Sequence, residues 1–290
     1  MNERIGIIGA GVVGTAIGVV LHGKGYEITG VHDVKSESTR QIVERIGCTA
    51  YTSPQEVSRS ADILFITTSD AAIKEVVNIL AQGKSFKDNQ VIIHMSGALS
   101  SEVLKEAKAF GSQVLSLHPL QSFASVDGAI ENLPGSVFSI EGDKSAFNTA
   151  IRIVESLDGE HFFLETAAKP LYHAGACVVS NYLVAIAYMG AALLEVTGIP
   201  RNAALKALLP LIRGTVNNLD NIGAPGALTG PIARGDWQTV LQHLESLSEL
   251  APEYKRLYSL LGSYTAQVAL EKGTINLTQK NRFDEIFEKP

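Results

Sequence analysis

Cysteine is scarce in this chain. Its 290 residues include two, Cys48 and Cys177, with no pairing pattern between them. That excludes a disulfide framework and a cysteine-ligated zinc site as organising devices, and it suits a reducing, cytoplasmic setting. Positive charge is also in deficit. Lys and Arg number 24 against 30 Asp and Glu, a formal net charge of −6, which is not the basic footprint of a nucleic-acid binder. The histidines show no metal-ligand spacing, so no metal is expected. The first residues lack the basic segment, apolar core and small-residue cleavage site of a secretory leader. One uncharged run, residues 174–194, is long enough to span a bilayer. It is rich in Ala and Gly, contains Ser180, Asn181, Tyr182 and Tyr188, and has no second span or flanking basic cluster. A buried helix at the centre of a helical domain or a dimer is therefore expected, not a membrane anchor.

What the chain does have is apolar substance: 46% hydrophobic against 19% charged residues, enough for a large core. In the first half, short apolar runs alternate with helix-like stretches. Strands are predicted at Arg4–Ile8, Glu27–His32, 62–67, 90–94, 113–117, 136–141 and 161–164. Helices are predicted at Val12–Gly23, 37–46, 71–82 and Ser101–Phe110. Runs such as Ile63-Leu64-Phe65-Ile66 are continuous rather than alternating, which means burial on both faces. The fold class that follows is a doubly wound, mostly parallel α/β sheet. From residue 166 onward the pattern turns helical, with predicted helices at 166–198, 202–221, 236–249 and 252–270. A Gly- and Pro-rich stretch at 223–231 looks too punctuated to be regular. Two domains are expected, 1–165 and 166–290.

The sharpest motif is Gly9-Ala10-Gly11-Val12-Val13-Gly14, a G-x-G-x-x-G that follows a strand and opens a helix. Gly9 permits the tight turn, Gly11 lets the backbone approach a pyrophosphate, and Gly14 lets helix and strand lie close. The helix N-terminus adds partial positive charge. Asp33, just after the second strand, suits a carboxylate on the ribose hydroxyls and points to NAD. Lys35, Ser36, Ser38 and Arg40 follow at once and suit a 2′-phosphate, so NADP stays open. Ligands of open α/β sheets bind beyond the carboxyl ends of the strands. Three polar clusters fall there: Thr67-Thr68-Ser69-Asp70, His94-Met95-Ser96-Gly97 and His118-Pro119-Leu120-Gln121-Ser122. Thr67, Thr68 and Ser96 are assigned to the cofactor, and His118 to catalysis. Each cluster also reads as turn or capping chemistry, Asp70 above all. In the helical half, Lys169 and His173 are i,i+4 neighbours, Cys177 and Ser180 continue that face, and Asn181 lies beside it. His173, assisted by Lys169 and Asn181, is the candidate proton donor to a substrate oxygen or nitrogen. Residues 226–236 read as an interhelical loop with Asp236 capping the next helix, or as a place where Thr229 or Arg234 reaches substrate or a dimer contact.

Several of these segments carry a resemblance. They are His94-Met95-Ser96-Gly97-Ala98-Leu99, His118-Pro119-Leu120-Gln121-Ser122-Phe123, Lys169-Pro170-Leu171-Tyr172-His173-Ala174 with Ser180-Asn181-Tyr182, and Leu228-Thr229-Gly230-Pro231 with Arg234-Gly235-Asp236. Through them the chain resembles Rossmann-like proteins whose C-terminal half is a domain of unknown function, number 2520. It is more distantly similar to pyrroline-carboxylate reductase, ketopantoate reductase and the 3-hydroxyacid dehydrogenases. The resemblance implies an NAD(P)-dependent oxidoreductase that is a homodimer through its helical domain and acts on a small-molecule substrate in a cleft between domains. The hydroxyacid dehydrogenases pair a catalytic Lys with an Asn one turn later. Here His173 takes that spacing from Lys169, and Asn181 comes two turns further on, so the pair is not carried over intact. Relatives in the closer group often carry a basic residue just after the second strand, where this chain has Val34. The expectation is hydride transfer to or from a small C=O or C=N group. Its rivals are a non-catalytic dinucleotide sensor and a structural helical dimer with a vestigial nucleotide domain.

Overall fold

The computed structural model describes residues 3–288. The chain divides after Ser180 into two compact units. The first is built on an eight-stranded sheet in the order β3-β2-β1-β4-β5-β6-β7-β8. In chain order, β1 (Arg4–Ile8) leads to α1 (Val12–Gly23), β2 (Glu27–His32) to α2 (Ser36–Ile46), and β3 (Thr49–Ala50) to α3 (Pro54–Ser60). Then come β4 (Ile63–Ile66), α4 (Asp70–Gln82), β5 (Val91–His94) and, after a 3₁₀ helix at Ser101–Phe110, β6 (Gln113–Pro119). The unit ends with α5 (Val126–Asn132), β7 (Val137–Gly142), α6 (Phe147–Ser156), β8 (Glu160–Phe163) and α7 (Lys169–Val179). All pairings are parallel except β6 with β7.

The central strands β1, β4 and β5 are apolar along most of their length because they feed two cores. Ile5, Ile7, Ile63, Phe65, Val91, Ile93, Leu115 and Leu117 point to one face, against Ala16, Ile17 and Leu21 of α1 and Ala150, Ile153 and Val154 of α6. Their neighbours Ile8, Leu64, Ile66, Ile92 and Val114 point to the other, against Val57 of α3 and Ile73, Val77 and Leu80 of α4. The period of 2 sorts residues between the cores, so these central strands need no polar face.

The 101–110 segment is 3₁₀ where an ordinary helix was expected. Its buried residues are Ser101, Leu104 and Ala107. They are spaced by three, the repeat that eclipses side chains on a 3₁₀ helix. The single helix predicted over 166–198 is also divided. A 3₁₀ turn at Thr166–Ala168 precedes α7, and Ser180 (φ −106°, ψ −71°) interrupts the helix before α8 (Asn181–Val196).

The second unit continues with α9 (Arg201–Ala227), α10 (Trp237–Leu250), α11 (Pro252–Lys272) and α12 (Leu277–Phe287). Its core gathers Ile232, Val240, Leu244, Ala266, Ala269, Phe283 and Ile286. Much of the stretch read as irregular is helical: α9 continues to Ala227, broken only at Gly223 (φ 74°, ψ 171°). The expected burial of the apolar run does not occur within one chain. On α8 only Met189, Ala191 and Ala192 are buried, while Val184 is 70% and Tyr188 62% exposed. Thr166–Val196 is the one stretch, among the described residues, long and apolar enough by length and composition to cross a bilayer.

Candidate functional site

The sheet order reverses between β1 and β4, where β2 and β3 leave on one side and β4 to β8 on the other. A crevice opens at such a switch point. Here it is a cavity of about 480 Å³ lined by Gly9, Gly11, Asp33, Val34, Lys35, Thr68 and Ser69, among others. The glycine loop forms its floor. Gly9 has φ 100° and packs on the Thr67–Thr68 backbone, so a side chain there meets both strain and backbone. The Gly9 N–H donates to His32 O (2.9 Å), Thr67 Oγ1 donates to Gly9 O (2.6 Å), and Thr15 Oγ1 donates to Ala10 O (3.1 Å). A Cβ on Gly14 would overlap Gly9 O and Thr67 Oγ1, whereas one on Gly11 would meet nothing within 4 Å. Val12 and Val13 open α1 and pack on the first core. No side chain caps that helix N-terminus, so its first N–H groups remain available to an anion.

Asp33 serves the loop as well as the cavity. One carboxylate oxygen accepts the Ala10 N–H (2.7 Å) and the other the Lys35 N–H (2.8 Å), which leaves further lone pairs for hydroxyl donors. Arg40, a candidate for a 2′-phosphate, is paired with Glu37 (2.7 Å) and Glu44 (3.6 Å). Val34 stands 94% exposed at the rim.

The polar residues at the ends of β5 and β6 form a second group with the first turns of α7. His118 Nδ1 and Tyr172 Oη share a hydrogen bond of 2.7 Å. The His118 and His173 rings stand edge to face at 6.3 Å, and Cys177 Sγ lies 3.8 Å from His173 Nε2. Gly97 makes room for both rings, because an added Cβ would come within 2.6 Å of His173 Cδ2 and 2.7 Å of His118 Nε2. Lys169 lies deeper than these half-buried rings. It is 1% exposed, and its ammonium donates to Ser116 Oγ (2.7 Å) and Ser96 O (3.0 Å). Ser96 Oγ is fully used, donating to Asp70 Oδ2 (2.8 Å) and accepting from the Ala98 and Leu99 N–H groups. Asp70 is thus the first residue of α4 and a brace for Ser96. Asn181 opens the second unit as the exposed first residue of α8.

Burial dominates the electrostatics here. Desolvation, reinforced by the Lys169 charge, holds His118 at about 3 and His94 at about 4. Both are neutral at pH 7. His94 Nδ1 accepts the Ser96 N–H (3.1 Å), which places its proton on Nε2, an atom with no well-formed partner. Lys169 is pulled down to about 8 by burial, against the opposing pull of Glu141 and Asp70. Burial raises the Tyr172 hydroxyl. Tyr172 was not singled out in the sequence; only its position between Lys169 and His173 signalled it. Among the described residues no cluster suits a metal ion.

In the second unit, Asp236 caps α10 by accepting the Thr239 N–H (3.1 Å). The Lys272 ammonium clamps the carbonyls of Gly226 and Leu228. Thr229 and Arg234 project from that loop, exposed.

Residues 2–119 match a Rossmann-like domain, and residues 136–265 match the domain of unknown function DUF2520. No curated protein matches the chain. Solved structures do. A Bacteroides fragilis protein, provisionally named an NADP oxidoreductase, is 23% identical over 92% of this chain and 98% of its own, with a TM-score of 0.75. Protein TM1727 of Thermotoga maritima is 25% identical over 93% and 99%, with a TM-score of 0.72. Pyrroline-5-carboxylate reductase of Coxiella burnetii is 14% identical over 100% of both, with a TM-score of 0.61.

Proposed function

We propose that this chain, a Rossmann-like domain joined to a DUF2520 domain, is an NAD(P)-dependent oxidoreductase acting on a small C=O or C=N substrate. One observation carries the reading: the uncapped start of α1 and the open face of Gly11 border a cavity at the switch point of the sheet, with the Asp33 carboxylate at its side. That is a seat for a pyrophosphate and a ribose. The structural neighbours named as an NADP oxidoreductase and a pyrroline-5-carboxylate reductase support it. Bound nicotinamide supplies hydride chemistry. The chain's own part is to bind the dinucleotide through Gly9 to Gly14, orient the ribose through Asp33, and manage a proton at the His118–Tyr172–His173 group. That group stands beyond the ends of β5 and β6, where open α/β sheets place their ligands.

Asp33 favours NADH, because a 2′-phosphate would approach a carboxylate while Arg40 is occupied by Glu37 and Glu44. Parallel fluorescence titrations with NADH and NADPH test both points. NADH is expected to bind more tightly, and Asp33→Ala to weaken it about tenfold, equivalent to about 1.4 kcal/mol, with NADPH affected less. If neither nucleotide binds at about millimolar concentration, the oxidoreductase reading fails. A substrate that oxidises bound NAD(P)H separates an enzyme from a sensor.

We also propose that the chain is a homodimer through its helical part. The support is the apolar surface that one chain leaves open: Val184, Tyr188, Leu211 and Ile222 are each more than half exposed. Apolar area on this scale favours a partner. Light scattering should give twice the 31.0 kDa chain mass, and Val184→Glu with Leu211→Glu should give the single mass. A parent protein that is monomeric throughout would sink the dimer.

A further inference from the structure

We propose that Lys169 is a positioning residue, one that seats the His118–Tyr172 pair at the ends of β5 and β6 and does not itself pass a proton to substrate. The inference rests on the oxidoreductase reading only for what the pair would do once seated.

A proton donor must reach what it protonates. Lys169 lies at the start of α7 and is 1% exposed. Two of its three N–H donors are committed, one to Ser96 O and one to Ser116 Oγ. The ammonium also stands 5.8 Å from the centre of the Tyr172 ring. Its charge is answered from inside the unit by Glu141 and Asp70. Glu141 is itself buried and accepts from Ser101 N (2.7 Å), Ser101 Oγ (2.8 Å) and Thr166 Oγ1 (2.7 Å). Asp70 accepts from Ser96 Oγ. Nothing in this arrangement turns the ammonium outward.

Each partner of Lys169 is instead one step from His118. Ser96 precedes Gly97, where an added Cβ would run into His118 Nε2 and His173 Cδ2. Ser116 and His118 are two apart on β6 and share one face of the strand. Tyr172 follows Lys169 by about one helical turn and bonds His118 Nδ1. Three sides of the imidazole are therefore fixed by elements that converge on one ammonium: the β5 end, the β6 strand and the first turn of α7.

The groups that face His118 are Lys169 and Tyr172 from α7, His173 further along α7, and His94 from β5. None is an acid that is charged at neutral pH. Burial and the Lys169 charge together keep the imidazole neutral. A neutral imidazole has one N–H and one bare ring nitrogen, so its Nδ1 can either accept a hydrogen bond from the Tyr172 hydroxyl or donate one to it, according to the tautomer. A charged imidazole could only donate. The buried ammonium thus holds the pair in place and adds its charge to the burial that keeps His118 neutral.

Two measurements test this, and neither needs a dinucleotide or a substrate, so they stand or fall apart from the oxidoreductase reading. The first is the histidine C2–H NMR titration of the full chain. In the parent, His118 is expected not to titrate above pH 5. In Lys169→Met, which keeps an apolar stem and removes the charge, the His118 midpoint should rise by about one unit or more. A Lys169 that merely filled space would leave the midpoint where it was. The second uses the unaltered protein, and so remains informative if Lys169→Met does not fold. Reductive methylation with labelled formaldehyde, read by mass spectrometry, should modify the exposed Lys35 and Lys74 well before Lys169. An unmoved His118 midpoint in Lys169→Met, or methylation of Lys169 at the rate of Lys74, would overturn the proposal.

Discussion

Gly11→Ala is expected to fold as the parent does and to lose about a hundredfold in dinucleotide affinity, equivalent to about 2.7 kcal/mol. The two halves of that result come from different observations. A Cβ at Gly11 meets no protein atom within 4 Å, and the residue's φ of −71° and ψ of −163° suit any amino acid. Ala is a poorer helix cap than Gly, which limits the stability cost to about 1 kcal/mol. The space that the methyl would enter is the space from which the backbone approaches a pyrophosphate. Gly14→Ala should do the reverse. Its Cβ would overlap Gly9 O and Thr67 Oγ1, and a backbone carbonyl cannot turn aside as a flexible side chain can. α1 would have to move off the sheet, at about 3 kcal/mol. Urea unfolding and an NADH titration of both variants separate the two roles. If Gly11→Ala binds NADH as well as the parent, the loop is a tight turn and not a nucleotide seat.

The contrast between these glycines shows which kinds of feature can be read from sequence. The glycine loop was legible because its chemistry is local: strand, turn and helix are contiguous, and the motif states what each position must tolerate. The central strands were legible for a similar reason. Ile63-Leu64-Phe65-Ile66 is apolar at every position because both faces are covered, and that shows without knowledge of the covering helices. Short helices were harder. α3 was missed although Ser53 and Glu56 form a full capping box. α12 was missed although Asn276 and Gln279 do the same. α3 has seven residues, and the apolar rhythm that marks a long helix has little length there in which to appear.

The site around His118 was only half legible, because its parts come from distant places in the chain. Helix spacing put Lys169 and His173 on one face of α7, and the spacing is correct. It does not tell how far a long side chain reaches or into which neighbour. Lys169, in the first turn, extends to β5 and β6 and disappears from the surface, while His173 stays half-buried beside His118. Tyr172 is joined to His118 across 54 residues, a separation that no local pattern spans. The exposed apolar run had the opposite difficulty. Its composition was plain, but composition does not distinguish a residue covered by its own chain from one that the chain leaves exposed.

Acid should destabilise the protein well before its carboxylates are protonated. His94 and His118 are held at about 4 and about 3, against an ordinary value of 6.5. As pH falls below 6.5, the unfolded chain takes up two protons that the folded chain refuses. The state that binds more protons gains, so folding stability falls with pH through this window. By pH 4 the loss is up to about 3 kcal/mol for each histidine, a large share of the roughly 5–15 kcal/mol that holds a typical protein folded. Asp62 does not offset this loss. Its pairing with Arg4 holds it at about 2, so its contribution is intact above the ordinary carboxylate value and is lost only in stronger acid. Lys169, held at about 8 against 10.5, acts at the other end, where stability should rise with pH between those two values. Urea midpoints measured between pH 7.5 and 4.5 should therefore drop with the slope of about two protons, and His118→Gln should bring that slope to about one. A midpoint that stays level from pH 7 to 4.5 would mean that neither histidine is held neutral by the fold.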